Sequence, residues 1–394
     1  MSGWPTFRLE DCAEIISGAT PSTSESAYWD GDVCWATPKD LSELEGAYIS
    51  DTPRKITRSG LQSCAATVLP PDSVLFSSRA PIGHVAINTV PMATNQGFKS
   101  FVPNRERLHA KFLYHWLRRN RPYLESLGNG ATFKEVSKAV VARIELPLPP
   151  LPEQRRIAEI LDKADALRAT RRAALAQLDT LTQSIFLDMF GDPATNQKGW
   201  PTTTLGDVLI AIRNGANAEQ REEPGGWPIT RIETISDGTI NPERVHWIEP
   251  DESLLENFQL EPGDILFSHI NSVEHIGKTA LYSGTPTPLI HGINLLRLRP
   301  RAESVDPVWL LHLLKNDFVR THFRTRCKRA VNQASLNQPD IKSVQTFLPP
   351  LSLQHAFARR VAASQSLECV HRASLSAQDS LFASLQHRAF RGEL

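Results

Sequence analysis

Leu148-Pro149-Pro150-Leu151-Pro152-Glu153-Gln154 opens a stretch free of helix breakers that runs to Phe190. The same segment returns 200 residues later, beginning Leu348-Pro349-Pro350-Leu351-Ser352-Leu353-Gln354 and ending at Phe390. The register needs no gap. Ala158 meets Ala358, Arg172-Ala173 meets Arg372-Ala373, and Leu175, Asp179, Leu181 and Ser184 meet Leu375, Asp379, Leu381 and Ser384. Identities this numerous in one register mark a tandem duplication, and so long a period implies two large lobes rather than a solenoid. Pro149, Pro150 and Pro152 deny a helix before about residue 153, and Gly191-Asp192-Pro193 stops it. A rod of about 37 residues rising roughly 1.5 Å each is about 55 Å long, longer than the core of one lobe.

In the first rod a seven-residue frame puts Ile157, Ala164, Arg171, Leu178 and Ile185 at one seam position and Ile160, Leu167, Ala174, Leu181 and Asp188 at the other. This predicts a coiled-coil seam. The same frame is poorer in the second rod, where Val361, Val370 and Leu375 offer another stripe, so pairing of the two rods is the economical arrangement. Phe186, Met189, Phe190, Phe382, Phe390 and Leu394 near the rod ends are more apolar than an exposed tip requires, and are expected to bind a partner.

Weaker echoes extend the repeat. Gly3-Trp4-Pro5 returns as Gly199-Trp200-Pro201, Asp72-Ser73-Val74-Leu75-Phe76-Ser77 as Gly263-Asp264-Ile265-Leu266-Phe267-Ser268, Gly83 as Gly277, and Phe112-Leu113-Tyr114-His115-Trp116-Leu117 as Trp309-Leu310-Leu311-His312-Leu313-Leu314. The offsets drift from 191 to 197, so the frame is shared and the loops are not. Each lobe reads as short β-rich runs between Pro and Gly turns (33–35, 73–76, 84–87 and 98–102; 228–232, 264–267, 278–282 and 293–298). A helical stretch near 109–127 or 306–325 follows. The fold class is therefore α+β: two similar α/β domains separated by two long antiparallel helices, with an internal pseudo-two-fold repeat. The segments are 1–147, 148–192, 193–347 and 348–394.

The 394 residues suffice for two domains with their own cores. An apolar share of 41% with 22% charged residues is that of a globular protein, and no apolar run nears the length of a membrane span. With no signal-like segment at Met1-Ser2-Gly3-Trp4-Pro5, a cytoplasmic protein is expected. Cys12, Cys34, Cys64, Cys327 and Cys369 are scattered and lack metal-ligand spacing, so neither a disulfide framework nor a metal site is expected.

Net charge is zero, but the average conceals a pattern. Residues 10–51 hold ten acids and one base, whereas 99–143 hold ten bases and three acids. Residues 207–264 hold thirteen acids and four bases, whereas 297–342 hold ten bases and four acids. A basic segment at the same place in both repeats points to phosphate contact, which needs localised Lys and Arg rather than a basic total. Motifs for catalysis are missing: the sequence has no Asn/Asp-Pro-Pro-aromatic run, no Gly-x-Gly-x-x-Gly cofactor loop and no phosphate cradle, and Asp340-Ile341-Lys342 stands alone.

The Leu-Pro-Pro-Leu-x-x-Gln helix start at both repeats, Phe390-Arg391-Gly392-Glu393-Leu394, and the run Gly130-Ala131-Thr132-Phe133-Lys134-Glu135-Val136 resemble the specificity subunit of type I restriction-modification systems over essentially the whole chain. The second helix start departs from the first, with Ser352, Leu353 and His355 in place of Pro152, Glu153 and Arg155. The resemblance implies two target-recognition domains, each reading half of a bipartite, asymmetric site in double-stranded DNA. It also implies antiparallel helices that dock two modification (methyltransferase) subunits, with a restriction subunit as a further partner. The chain would be non-catalytic; S-adenosylmethionine, ATP and Mg would sit on the partner subunits. Two other readings remain open: a two-headed protein-protein adaptor and a non-specific DNA-bridging protein.

Base and phosphate contacts call for Lys, Arg, Asn, Gln and similar side chains on loops beside strands. In the first lobe the candidates are Lys39, Arg79, Asn95, Gln96, Lys99, Thr132 and Lys134. In the second they are Arg231, His269, Asn271, His291, Asn294, Arg329, Asn332, Gln333 and Ser335.

Overall fold

Both double-proline signals start a long helix, at Leu151–Phe190 and Leu351–Ala389, of 40 and 39 residues. The first begins about two residues earlier than the prolines suggest, because Pro152 falls in the first turn, where a missing N–H costs nothing. The computed structural model describes residues 4–79, 81–130, 134–330 and 333–394. These fall into two compact units, Met1–Arg172 with Ala373–Leu394, and Ala173–Arg372. Half of each rod belongs to each unit.

The first unit is closed by Thr6–Arg8 paired antiparallel with Glu145–Pro147. Its main sheet has the order Ala13–Ser17, Lys99–Pro103, Val74–Phe76, Val85–Asn88, Tyr48–Ile49, antiparallel except for the last pair. Side chains alternate across it: Val74, Phe76, Val85 and Ile87 join the cluster under helix Ala110–Arg119, while Leu75 and Ala86 join a second cluster with Met92 and Phe98. Burial on both faces explains why these strands read as apolar runs.

The second unit repeats this plan. Thr202–Thr204 pairs with Gln345–Phe347, and the main sheet runs Leu209–Asn214, Leu295–Pro300, Ile265–Ser268, Thr279–Leu281. Ile265 and Phe267 face one cluster and Leu266 the other. Gly83 and Gly277 occupy the same turn with φ of +96° and +78°, a conformation that glycine adopts without strain. The single helix expected in each lobe is two: Ala110–Arg119 and Arg121–Ser126 in the first, Pro307–Lys315 and Asp317–Arg326 in the second.

The repeated glutamine fastens each rod to its sheet. Gln154 is fully buried; its Oε1 accepts from the His109 N–H at 2.8 Å and its Nε2 donates to the Arg107 and Pro149 carbonyls at 2.7 and 2.8 Å. Gln354 makes the same three bonds to Asp306, Ser304 and Pro349, at 2.8, 3.0 and 2.8 Å. The changed neighbours Ser352 and His355 leave this clamp intact.

Within each unit the rod halves run antiparallel, and the seam is shifted from the expected one. Ile157 and Ala164 lie on it as read, but the second seam position is one residue on, at Leu161 and Arg168 in the first unit and Leu175 and Thr182 in the second. Leu167 and Leu181, expected inside, are 60% and 42% exposed. The physical reason is Arg168. Its guanidinium bonds Asp379 at 2.6 Å and Asp165 at 2.7 Å and lies 4.3 Å from the centre of the Phe382 ring. A seam built around an ion pair loses in a count of apolar residues. In the second rod Val361 is buried as the alternative stripe required, whereas Val370 is 61% exposed.

The apolar rod ends are also explained from within. Phe186 and Phe190 are buried against Phe357, with ring centroids 5.6 and 5.4 Å away, and Met189 packs on the same core. Phe390 stacks edge-on to Phe112 at 5.4 Å, and Phe382 and Leu394 pack on the first unit's core. Phe186, Phe190 and Phe382 are therefore core rather than docking surface, while Met189, Phe390 and Leu394 are partly buried against it.

Candidate nucleic-acid interface

In both units the chain leaving the central strand is met by a ribbon that precedes the last short helix. In the first unit Ser78 sits at the junction: its N–H donates to Gly97 O at 2.8 Å and its carbonyl accepts from Val136 N–H at 2.9 Å. Arg79 and Asn129 both bridge to Glu135. In the second unit Lys328–Ala330 pairs with Gln333–Ser335, which pairs in turn with Ile270–Asn271, and His269 O accepts from Leu336 N–H at 2.9 Å.

The Ser78 junction gathers most of the first unit's candidates. Glu135 accepts from Lys99 Nζ at 3.1 Å and lies 4.0 Å from Arg79 Nη1. Lys99 is 8% exposed, so it orders the ribbon rather than facing solvent. Lys134, beside it, is exposed and makes no ion pair among the described residues. Asn95 Oδ1 accepts from Gly97 N–H at 2.9 Å, and Gln96 accepts from the Thr20 hydroxyl. Lys39 is exposed, 3.6 Å from Glu43. Thr132 lies outside the described residues.

In the second unit Arg329 and Gln333 are exposed on the ribbon, Ser335 and Asn271 are half-buried, and His269 is nearly buried beneath it. Burial holds the His269 imidazole below its ordinary pKa. No hydrogen bond joins Arg231 or Asn294 to the ribbon among the described residues; Arg231 instead pairs with Glu233 at 3.5 Å. His291 is corrected from a contact residue to a core residue: it is fully buried, its Nδ1 bonds Phe258 O at 2.7 Å, and burial pushes its pKa down to about 4. Asn332 lies outside the described residues.

The basic segments divide differently from their totals. In the first unit Lys111, Arg105, Arg118 and Arg121 are paired with Asp162, Asp72, Asp165 and Glu125, and Arg107 bonds the Asp11 carbonyl. In the second, Arg299 is clamped by Asp264 and Glu261, both at 2.7 Å. Arg320, Arg324, Arg326 and Lys328, on helix Asp317–Arg326 and the ribbon it leads into, make no ion pair among the described residues. Sequence reasoning counted these four without placing them; their signal was the run itself, with Arg320 and Arg324 one helical turn apart. In the second unit the ribbon and the helix before it thus carry a run of cations without ion pairs among the described residues, whereas in the first Lys134 stands exposed beside the paired Glu135.

Among the described residues no cluster of His, Cys, Asp and Glu could hold a metal, the five cysteines are free, and no helix is long and apolar enough to cross a membrane.

The sequence model of the type I restriction modification DNA specificity domain matches the chain over residues 1–179 and again over 197–364. The MjaIX specificity subunit of Methanocaldococcus jannaschii is 33% identical over 255 residues, 60% of this chain and 59% of that protein. The EcoKI specificity subunit of Escherichia coli is 26% identical over 338 residues, 80% of this chain and 73% of that protein. The chain thus spans less than two thirds of the length of the M. jannaschii relative. Among solved structures, a subunit from a study of type I restriction-modification assembly and conformational transition superposes with a TM-score of 0.63 at 21% identity, covering 100% of this chain and 98% of that one. The type I S subunit from M. genitalium superposes at 0.60 and 13% identity, covering 99% and 96%.

Proposed function

The chain belongs to the type I restriction modification DNA specificity family, and from that premise we propose that it is the non-catalytic, DNA-reading subunit of a type I restriction-modification complex. Each unit reads one half of an interrupted, asymmetric duplex target. The observation that carries this reading is the ribbon repeated in both units on the same sheet order, with different side chains on it: Lys134 in one, Arg329 and Gln333 in the other. A shared frame with unlike ribbons suits unlike half-sites.

Two modification subunits dock on exposed leucines that the duplication places twice, Leu167 with Leu381 in the first unit and Leu181 with Leu367 in the second. Exposed leucines repeated at matching positions mark contact surface better than isolated ones. Methyl transfer from S-adenosylmethionine belongs to those subunits, and ATP- and Mg-dependent cleavage to a restriction subunit.

The test is binding of the complex with its modification subunit to genomic duplexes across a salt series. Affinity should fall by orders of magnitude between low and moderate salt, and Lys134→Ala should lower the slope of log affinity against log salt by about one. A salt-independent interaction would favour the adaptor. Salt dependence without sequence preference would favour the bridging protein.

A further inference from the structure

In the first unit two carboxylates of the rod sit against a row of basic groups on helix Ala110–Arg119. Asp162 takes Lys111 Nζ at 2.9 Å and His115 Nε2 at 2.7 Å, and Asp165 takes Arg118 Nη1 at 2.9 Å. The duplication keeps half of this arrangement. His312 stands at the position of His115 and Lys315 at that of Arg118, but the 200-residue offset puts Ala362 and Gln365 where the two aspartates were.

What the missing carboxylates leave is a cavity of about 330 Å³, lined by His312, Lys315, Gln365, Glu368, Gln183 and Phe186. The His312 ring rests edge-on against Phe357 at 5.3 Å and makes no side-chain hydrogen bond among the described residues. Among the described residues Lys315 Nζ reaches only the Gly238 carbonyl, at 3.3 Å. Glu368, the one acid lining the cavity, is occupied by Arg372 at 2.5 Å. Burial lowers the pKa of His312 to about 4, with the charge of Lys315 adding to the effect, while Lys315 itself is exposed to solvent. That is the expected state of an imidazole whose counter-ion is elsewhere.

We propose that this cavity of the second unit is a carboxylate-binding site, in which a ligand carboxylate pairs with Lys315 and His312 as Asp162 and Asp165 pair with their counterparts in the first unit. The remaining volume takes the carbons that carry the carboxylate, against Phe186, Leu178 and Val361. The ligand is either a small free carboxylate or an acidic side chain of a protein seated over Leu181 and Leu367, which flank the cavity in sequence; the second source rests on the docking reading above.

The experiment is thermal unfolding of the full chain in sodium acetate against sodium chloride at equal ionic strength, with Lys315→Met and Ala362→Asp/Gln365→Asp alongside. Acetate at ten times its dissociation constant should raise the melting temperature of the wild type by about 3–5 °C more than that of K315M. The double variant, supplied with its own carboxylates, should melt higher than the wild type in chloride and gain nothing from acetate. Equal acetate gains in all three proteins would overturn the site. Repeating the series with the modification subunit bound identifies the source: the gain disappears if that subunit supplies the carboxylate and persists if the ligand is free. Either result upholds the site.

Discussion

Gln154 and Gln354 each satisfy three buried backbone groups with one amide, and their recurrence was visible in the sequence. Truncating Gln154 to Ala strands the His109 N–H and two carbonyls, so urea unfolding should show a loss of roughly 2–4 kcal/mol; a change under 0.5 kcal/mol would contradict the clamp. Residue chemistry was less legible where burial decides it. His291 looked like a base-contact donor because a sequence does not say which way a histidine beside a strand points; it points inward. His291 and His312, both held near 4 in the folded chain, protonate near 6.5 once unfolded. The unfolded chain therefore binds more protons between these values. Stability is full above pH 6.5 and falls by about 1.4 kcal/mol per pH unit per histidine down to about pH 4. Denaturant unfolding at pH 7 and pH 5 should show a loss, and His291→Gln should reduce it, other buried histidines such as His269 keeping their share. A slope untouched by the substitution would count against a buried neutral His291.

At the scale of elements, the rods were the most legible feature, since prolines, a glycine stop and a long interval free of breakers leave little alternative. Their seam was half legible. Residues three and four apart both lie on one helical stripe, and the row that enters the seam carries Arg168, Thr182 and Glu368 in place of leucines. A half-buried guanidinium between Asp165 and Asp379 joins the pair in a way no apolar count detects. The leucines displaced from the seam are the ones proposed to dock the modification subunits. Leu167→Asp with Leu381→Asp, or Leu181→Asp with Leu367→Asp, should leave the melting temperature of the isolated chain within about 2 °C, because surface changes cost little. Affinity for the modification subunit, read by calorimetry, should fall at least tenfold. Unfolding of the isolated chain would place these leucines in the seam after all, and an intact complex would move the docking surface elsewhere.

At the scale of the whole molecule, the duplication was plain in the chain, and the sheets bear it out: the order Ala13–Ser17, Lys99–Pro103, Val74–Phe76, Val85–Asn88 recurs as Leu209–Asn214, Leu295–Pro300, Ile265–Ser268, Thr279–Leu281. The composition of the units was not plain. Residues 373–394 complete the unit that begins at the N-terminus, and 173–190 join the unit that follows them, because a half-rod is stable only where another half-rod covers its seam. Sequence order reports which segment comes next, not which one packs alongside. The charge totals misled for a similar reason: cations such as Lys111 and Arg118 are consumed in fastening a rod to its own unit, whereas Arg320, Arg324 and Arg326 of helix Asp317–Arg326 make no ion pair among the described residues. The central claim, that each unit reads one half of a target, is tested most directly by modified-base sequencing of DNA from cells co-expressing the modification subunit with the wild-type chain or with Arg329→Ala/Gln333→Ala. The wild type should give one interrupted, asymmetric methylated motif, and the variant should relax or lose one half of it while the other half stays unchanged. A continuous motif, or a variant that alters both halves alike, would contradict the account.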